Sequence, residues 1–384
     1  MRLHALLPVL LALAVSGRAL AQPADCNRPA AEVVSQVTLP GHPFSAIPTA
    51  DGCTLFVSLT PVQRGDTSQI AVLSRSAGRL SMVRTVAAGA RVAGMTLSPD
   101  GKVLAVGDID GVMLFDVAKL ISGADARMAA SNEGKDSGGF YVAFSPDGRL
   151  LAFSNETANT ITIYDFTAFL GGKPFRAAGK IPVALGPTGL AFSPDGKRLY
   201  ASVQMARGTG YDCPPENGKG PGHPPGVLTV IDADRAAANP GHAVLAEIPA
   251  GCNPVRVALS PDGERAYVSA RGGNVVAMFE TATLLSSRGH ALAGIFKVGK
   301  APVGLTADAG RVFVANSDRF GGGQSQTVYA IDPSDPGHAK SIPVGGFPRE
   351  LKLTADGKTL LVTNFGSNTL ELVDLERALA PVAR

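Results

Sequence analysis

Ser98-Pro99-Asp100-Gly101 decides the fold, because it recurs. The same four residues stand at 145–148, 193–196 and 260–263. Relaxed copies are Thr49-Ala50-Asp51-Gly52, Thr306-Ala307-Asp308-Ala309 and Thr354-Ala355-Asp356-Gly357, which makes seven in all. The chemistry is that of a turn. Pro presets φ near −65°, Asp hydrogen-bonds its own backbone, and Gly takes the positive φ that closes a hairpin. An apolar alternation precedes each copy, as in Leu190-Ala191-Phe192, and another follows, as in Leu199-Tyr200-Ala201-Ser202. Each copy therefore reads as the tip of a β-hairpin.

Measured from the first turn residue, successive copies stand 49, 47, 48, 67, 46 and 48 residues apart. A period of that length with several short strands per unit points to a propeller blade rather than a helical solenoid. Strand A, innermost, ends at the turn. Strand B follows it, as in Val103-Leu104-Ala105-Val106 and Arg265-Ala266-Tyr267-Val268. Strand C ends in a hydrophobic-Asp step, as in Leu114-Phe115-Asp116 and Leu372-Val373-Asp374. Strand D is of the type Lys180-Ile181-Pro182-Val183. Its Pro suits an outer edge strand, where a missing donor does little harm. The last unit lacks a strand D after Leu375, whereas a strand-D pattern runs from Glu32 to Gly41. The expectation is an all-β, seven-bladed β-propeller of four-stranded antiparallel blades, its ring closed by the N-terminal strand in the last blade.

The chain has 384 residues and a formal charge of +3, with no lysine or arginine run, so no nucleic-acid partner is expected. Arg2, the apolar core from Leu6 to Val15 and Ala19-Leu20-Ala21 read as a signal peptide over 1–21, with the propeller domain over 22–384 and a mature start at Gln22. No later stretch reaches membrane-spanning length. The expected location is the periplasm or the exterior. Four cysteines in an exported chain suggest two disulfides. Loop sides decide the pairing. Cys26 and Cys53 fall on the face of the A–B and C–D loops, and Cys213 and Cys252 on the face of the B–C and D–A loops. The expected pairs are Cys26–Cys53, across the ring closure, and Cys213–Cys252. Close Cys/His spacing is lacking, so no metal site is expected, and no cofactor is implied.

Turn, strand B and strand C together resemble the YVTN-type β-propeller repeat. The nearest matches are Val312-Phe313-Val314-Ala315-Asn316 and Leu360-Leu361-Val362-Thr363-Asn364. The resemblance covers about residues 30 to 376. It implies the fold and little about function, because the repeated residues are those that build blades. Similar repeats occur in exported binding proteins, cell-surface proteins and redox-enzyme heavy chains, and in the related seven-bladed lactonase family. That family tends to carry His in the strand entering its turns. Strands A here lack it, and His42 is the only one nearby.

Function is expected on the B–C/D–A face, at the mouth of the axial channel. Four residues before each turn stand Ser45, Gly94, Tyr141, Gly189, Arg256, Pro302 and Glu350. Arg256 and Glu350, with Arg349 beside them, either fix a ligand carboxylate or phosphate or plug the channel as an ion pair. The ends of strand B add Asn155, Arg271, Asn316, Arg319 and Asn364, read either as ligand contacts or as strand-end caps and solvated surface. The 67-residue interval carries an insertion at about 204–226, rich in Gly and Pro, with Tyr211, Asp212 and His223 placed to reach over the channel. No G-x-S-x-G, H-E-x-x-H, P-loop or dinucleotide fingerprint is present. The sequence therefore favours an exported binding or scaffold propeller for an unknown small ligand or a periplasmic or cell-surface protein. The alternatives are a lactonase-like hydrolase and the heavy subunit of a periplasmic redox complex.

Overall fold

The computed structural model describes residues 26, 28, 31–63, 65–134, 137–207, 212–215, 222–286, 291–319 and 326–380. The expected signal peptide lies outside them. Seven four-stranded antiparallel sheets stand in a ring, a seven-bladed β-propeller. Blades one to six take residues 42–87, 92–130, 139–182, 185–251, 254–297 and 302–343 in chain order. Blade seven takes 348–374 and borrows its outer strand, Val34–Thr38, from the N-terminal side. Val34 pairs with Val373 and Thr38 with Thr369, so the ring closes as expected. Arg377 reinforces the closure by donating to the carbonyls of Ala31 and Glu32, each at 2.9 Å.

The turns do what their chemistry requires. Ser98 Oγ donates to Asp100 Oδ1 (2.6 Å), which also accepts the Lys102 N–H (3.1 Å). Val103 N–H donates to Ser98 Oγ at 3.0 Å. Gly101 takes φ +71°. The Ser98 hydroxyl and the Lys102 N–H hold the Asp100 carboxyl below the usual range. Blade six departs from the expected register. There Asp308 N–H donates to Arg311 O, the bond that Ser98 N–H makes to Val103 O. Asp308, not Thr306, is the first turn residue, because this hairpin tip is two residues shorter (308–311 against 98–103).

The hydrophobic-Asp step has a role that strand reading missed. Asp116, Asp165, Asp232 and Asp374 each cap a short helix in the C–D connection by accepting a backbone N–H three residues on. Apolar clusters fill the spaces between neighbouring blades. Phe56 and Val72 of blade one, for example, pack with Met95, Leu104 and Phe115 of blade two. Strand-B hydroxyls stitch blades together near the axis. Ser58, Ser154, Ser269 and Thr363 donate across to carbonyls of Ala93, Thr188, Val303 and Phe44 in the next blade, at 2.7–3.0 Å. Each such bond contributes about 1 kcal/mol.

Both disulfides pair as expected: Cys26–Cys53 with Cα atoms 4.9 Å apart and Cys213–Cys252 with Cα atoms 5.6 Å apart. The second staples the blade-four insertion. Cys213 also bridges to His223 through backbone bonds of 2.7 and 3.0 Å. His223 Nδ1 lies 2.8 Å from Pro224 O, and its Nε2 lies 3.2 Å from Asn253 Nδ2. His223 therefore ties the insertion to the next D–A loop. Among the described residues no helix is long and apolar enough to cross a membrane, and no group of three or more His, Cys, Asp or Glu is set to hold a metal.

Candidate functional site

Each strand A begins with a register break, for example between Pro43 and Ala46, Gly139 and Val142, and Pro348 and Glu350. A bulge re-aims side chains locally. Here two consecutive residues per blade reach the axis at different heights. The upper layer is Phe44, Ala93, Phe140, Thr188, Val255, Val303 and Arg349, all lining one cavity of about 440 Å³. Ser45, Tyr141 and Glu350, from the lower layer, line a second cavity of about 250 Å³ toward the turn face.

The lower layer alternates by size, for a steric reason. A Cβ on Gly94 would stand 3.1 Å from Tyr141 Cα, on Gly189 2.7 Å from Arg256 Cα, and on Gly304 3.0 Å from Glu350 Cα. Glycine in blades two, four and six thus makes room for the large residue of the next blade. The expected position in blade six, Pro302, is corrected to Gly304 by the shorter turn.

Arg256 and Glu350 form a buried pair between the two cavities. They are 2% and 5% exposed. Arg256 Nε donates to both Glu350 oxygens, at 2.9 and 3.0 Å, and Nη1 donates to Val255 O at 2.8 Å. The Arg256 guanidinium lies 4.9 Å from the Tyr141 ring centroid. Burial, and then the Glu350 carboxylate, raise the Tyr141 hydroxyl pKa. Of the two expectations for this pair, the geometry is that of the plug.

Arg349 is different. Its guanidinium lies over Phe44 at 4.2 Å, with Phe365 at 5.2 Å, Phe347 at 5.5 Å and Phe140 at 5.8 Å. Its Nε is buried without a hydrogen-bond partner. Burial, then Arg256, Arg319 and Arg271 nearby, push its pKa below the usual arginine range. Arg271 and Arg319 line the same cavity from blades five and six, and Arg91 from blade two. Arg271 Nη2 donates to Gln204 Oε1 at 3.5 Å, and Gln204 Nε2 donates to Glu156 Oε1 at 2.6 Å.

The structure thus brings Arg271, Arg319 and Arg349 together, and places Tyr141, Arg256 and Glu350 at and below the floor. It does not bring Asn316 or Asn364 to the cavity. Both are buried in their sheets, with Nδ2 bonded at 3.1 Å to Thr327 and Thr369 of strand C. Asn155 likewise bonds Thr162 at 2.9 Å. These are the strand-end caps that the sequence left open. Tyr211 lies outside the described residues. His42 belongs to strand A of blade one, where its ring stacks on Phe365 at 4.7 Å and its Nδ1 lies 2.8 Å from Phe365 O.

Sequence reasoning missed Phe44, Phe140 and Phe365, and also Arg91, Glu156 and Gln204. A signal for the first two existed: counting five residues back from each turn, rather than four, reads out the upper layer.

No family model matches the chain, and no curated protein matches it. Solved structures do. Hydrazine synthase of Kuenenia stuttgartiensis is similar at 18% identity and TM-score 0.65, over 88% of this chain and 97% of that one. The β-propeller domain of Myceliophthora thermophila Cps50 (Swd1) is similar at 12% and 0.62, over 88% and 98%. A functionally unknown protein from Desulfotomaculum acetoxidans is similar at 13% and 0.58, over 78% and 84%. At these identities the likeness carries the fold and nothing about activity.

Proposed function

We propose that this chain is an exported YVTN-type propeller that binds a small anion, a carboxylate or a phosphate ester, in the upper axial cavity. One observation carries the reading. Arg349 sits inside the cavity with no hydrogen bond or ion pair among the described residues, and its Nε is buried and unpartnered. The Arg349 side chain is half-buried with its Nε wholly buried, and a bound carboxylate or phosphate would satisfy that donor in a bidentate fork. The aromatic rings around it supply the apolar walls that small-molecule sites need. The export signal and the disulfides support action outside the cytoplasm. Hydrolysis has less support. Glu156 is the one carboxylate lining this cavity among the described residues, and it is bonded to Gln204.

Calorimetric titration of the purified protein with phosphate and with small mono- and dicarboxylates tests the reading. Binding should occur and fall at least about tenfold in Arg349→Ala, the scale of a lost charge-assisted hydrogen bond. The unfolding midpoint should change little, since the lost contacts to the aromatic rings offset the removal of an unpaired charge. Absence of any anion binding, or full affinity in Arg349→Ala, would overturn it.

A further inference from the structure

The second cavity, under the Arg256–Glu350 plug, holds an amine. Side chains along a strand alternate, so Lys352, two residues after Glu350, returns to the axis one tier lower. Ile47, Thr96, Ala143, Ala258 and Thr306 reach the same tier from other blades, and all six line the cavity of about 250 Å³. Lys352 is thus the one cation of this tier, among aliphatic side chains and two threonines.

Among the described residues Lys352 makes no hydrogen bond and no ion pair. Glu350 is the one carboxylate among the lining residues, and both its oxygens accept from Arg256 Nε. The Lys352 side chain is exposed, and the space it is exposed to is the inside of the ring. That enclosure pushes its pKa below the usual lysine range, and Glu350 offsets only part of the shift. A lysine so placed holds more of its neutral, nucleophilic form at neutral pH than a surface lysine does.

We propose that the lower cavity is a covalent site for a short, uncharged aldehyde, held as an imine on Lys352 Nζ. The amine lone pair attacks the carbonyl carbon, and the C=O π pair moves to oxygen. A proton passes from nitrogen to that oxygen. The carbinolamine then loses its hydroxyl, with the remaining N–H proton, as water, and leaves C=N. The step consumes one aldehyde and one amine, releases one water, and needs no oxidant or reductant. The walls select the rest of the ligand. Ile47, Ala143 and Ala258 suit an alkyl chain. An anionic tail would find Arg256 already held by Glu350. The cavity is smaller than the roughly 300–1,000 Å³ of sites for drug-sized ligands, so the chain is short.

The test incubates the purified protein with ethanal, propanal or butanal at sub-saturating concentration, with cyanoborohydride to trap the imine as a secondary amine. Peptide mass spectrometry gives the labelling rate of each lysine. Lys173, exposed and without an ion pair among the described residues, is the internal control. Lys352 should label faster than Lys173 with butanal. Its rate should rise about fourfold with each added methylene, the worth of one buried CH2 group, while the Lys173 rate stays nearly flat. Excess butanol should slow Lys352 and leave Lys173 unchanged, since it fills the cavity and cannot react. Lys352→Arg keeps the charge and should lose the chain-length-dependent label without altering that on Lys173. Labelling of Lys352 no faster than that of Lys173, or a rate indifferent to chain length, would overturn the proposal. Neither result involves Arg349, so anion binding in the upper cavity stands or falls separately.

Discussion

Glu350→Ala should be among the most destabilising single substitutions in this chain. Glu350 supplies both acceptors for Arg256 Nε, at 2.9 and 3.0 Å. Without it, Arg256 retains only the Val255 carbonyl at 2.8 Å, and its Nη2 is already unpartnered. The guanidinium is 2% exposed and stands among the rings of Tyr141, Phe140 and Phe44, at 4.9, 5.4 and 5.8 Å. Water entering from the adjoining cavity would supply hydrogen bonds but no counter-charge. Removing one partner of a buried pair leaves an uncompensated charge and costs about 3–5 kcal/mol. At about 2 °C per kcal/mol for a large domain, Tm should fall by about 6–10 °C.

Removing both charges should cost far less. Replacing a buried pair by apolar residues of similar volume is often neutral or stabilising. Arg256→Met/Glu350→Leu should therefore unfold within about 1 kcal/mol of the native protein, well above Glu350→Ala. Equilibrium urea unfolding followed by far-ultraviolet circular dichroism, with disulfides intact, measures all three. The single variant should also regain stability in formate, whose carboxylate is small enough to stand where the Glu350 carboxylate stood. A single variant within 1 kcal/mol of native, or a double variant as unstable as the single, would refute the argument.

Three further outcomes follow from the same geometry. Glu371 is buried, one of its oxygens is unpartnered, and burial raises its carboxyl pKa. A raised folded pKa means that the protonated form stabilises the fold below the unfolded value, and that this contribution is lost as pH rises through the folded one. Glu371→Gln should therefore raise the unfolding free energy from urea titration at pH 7 by about 1 kcal/mol, with the gain shrinking toward pH 4. Gly189→Ala places a methyl 2.7 Å from Arg256 Cα and 2.9 Å from Val257 N, and should cost at least about 2 kcal/mol, whereas Gly310→Ala, with nothing within 4 Å, should be near neutral in the same unfolding assay. Cys213→Ala/Cys252→Ala should lose about 2–4 kcal/mol. It should also weaken anion binding in calorimetry, because the N–H groups of Arg271 and Gly272 are held by the carbonyls of Asn253 and Cys252.

The scaffold was legible because its signals are local. A Ser-Pro-Asp-Gly tip sets its own geometry through bonds between residues two to five apart, so seven copies announce seven blades. The ring closure and the disulfides followed from strand order alone. The blade-six register was lost because Thr306-Ala307-Asp308-Ala309 imitates a turn in composition, while its bonds run from Asp308 to Arg311. The site was legible by position and not by role. Arg256 and Glu350 stand four residues before their turns and Arg349 five, but their pairing depends on the bulge that separates adjacent residues by height. Phe365 and Glu156 each stand two residues past the strand-B hydroxyl, the position of Thr60 and Arg271, but the residue types there differ from blade to blade and hide the repeat. Asn316 and Asn364 looked like site residues because polar groups at strand ends face two ways, and only packing shows which.

The two faces of the ring differ because they answer to different constraints. On the turn face each blade satisfies itself, so the sequence repeats. Near the axis each blade must fit its neighbour, so small and large residues alternate: Gly94 before Tyr141, Gly189 before Arg256, Gly304 before Glu350. Seven is odd, and strict alternation cannot close. It breaks between blades one and two, where Ser45 and Gly94 stand side by side. Phe44, one residue above Ser45, occupies that sector, with its ring 5.2 Å from Phe140 and 4.2 Å from the Arg349 guanidinium. The aromatic surface under Arg349 thus stands at the one place where the ring cannot alternate. The paired charges lie where alternation holds and face inward to each other. The unpaired one lies above the break, held on a ring face and offered to the cavity.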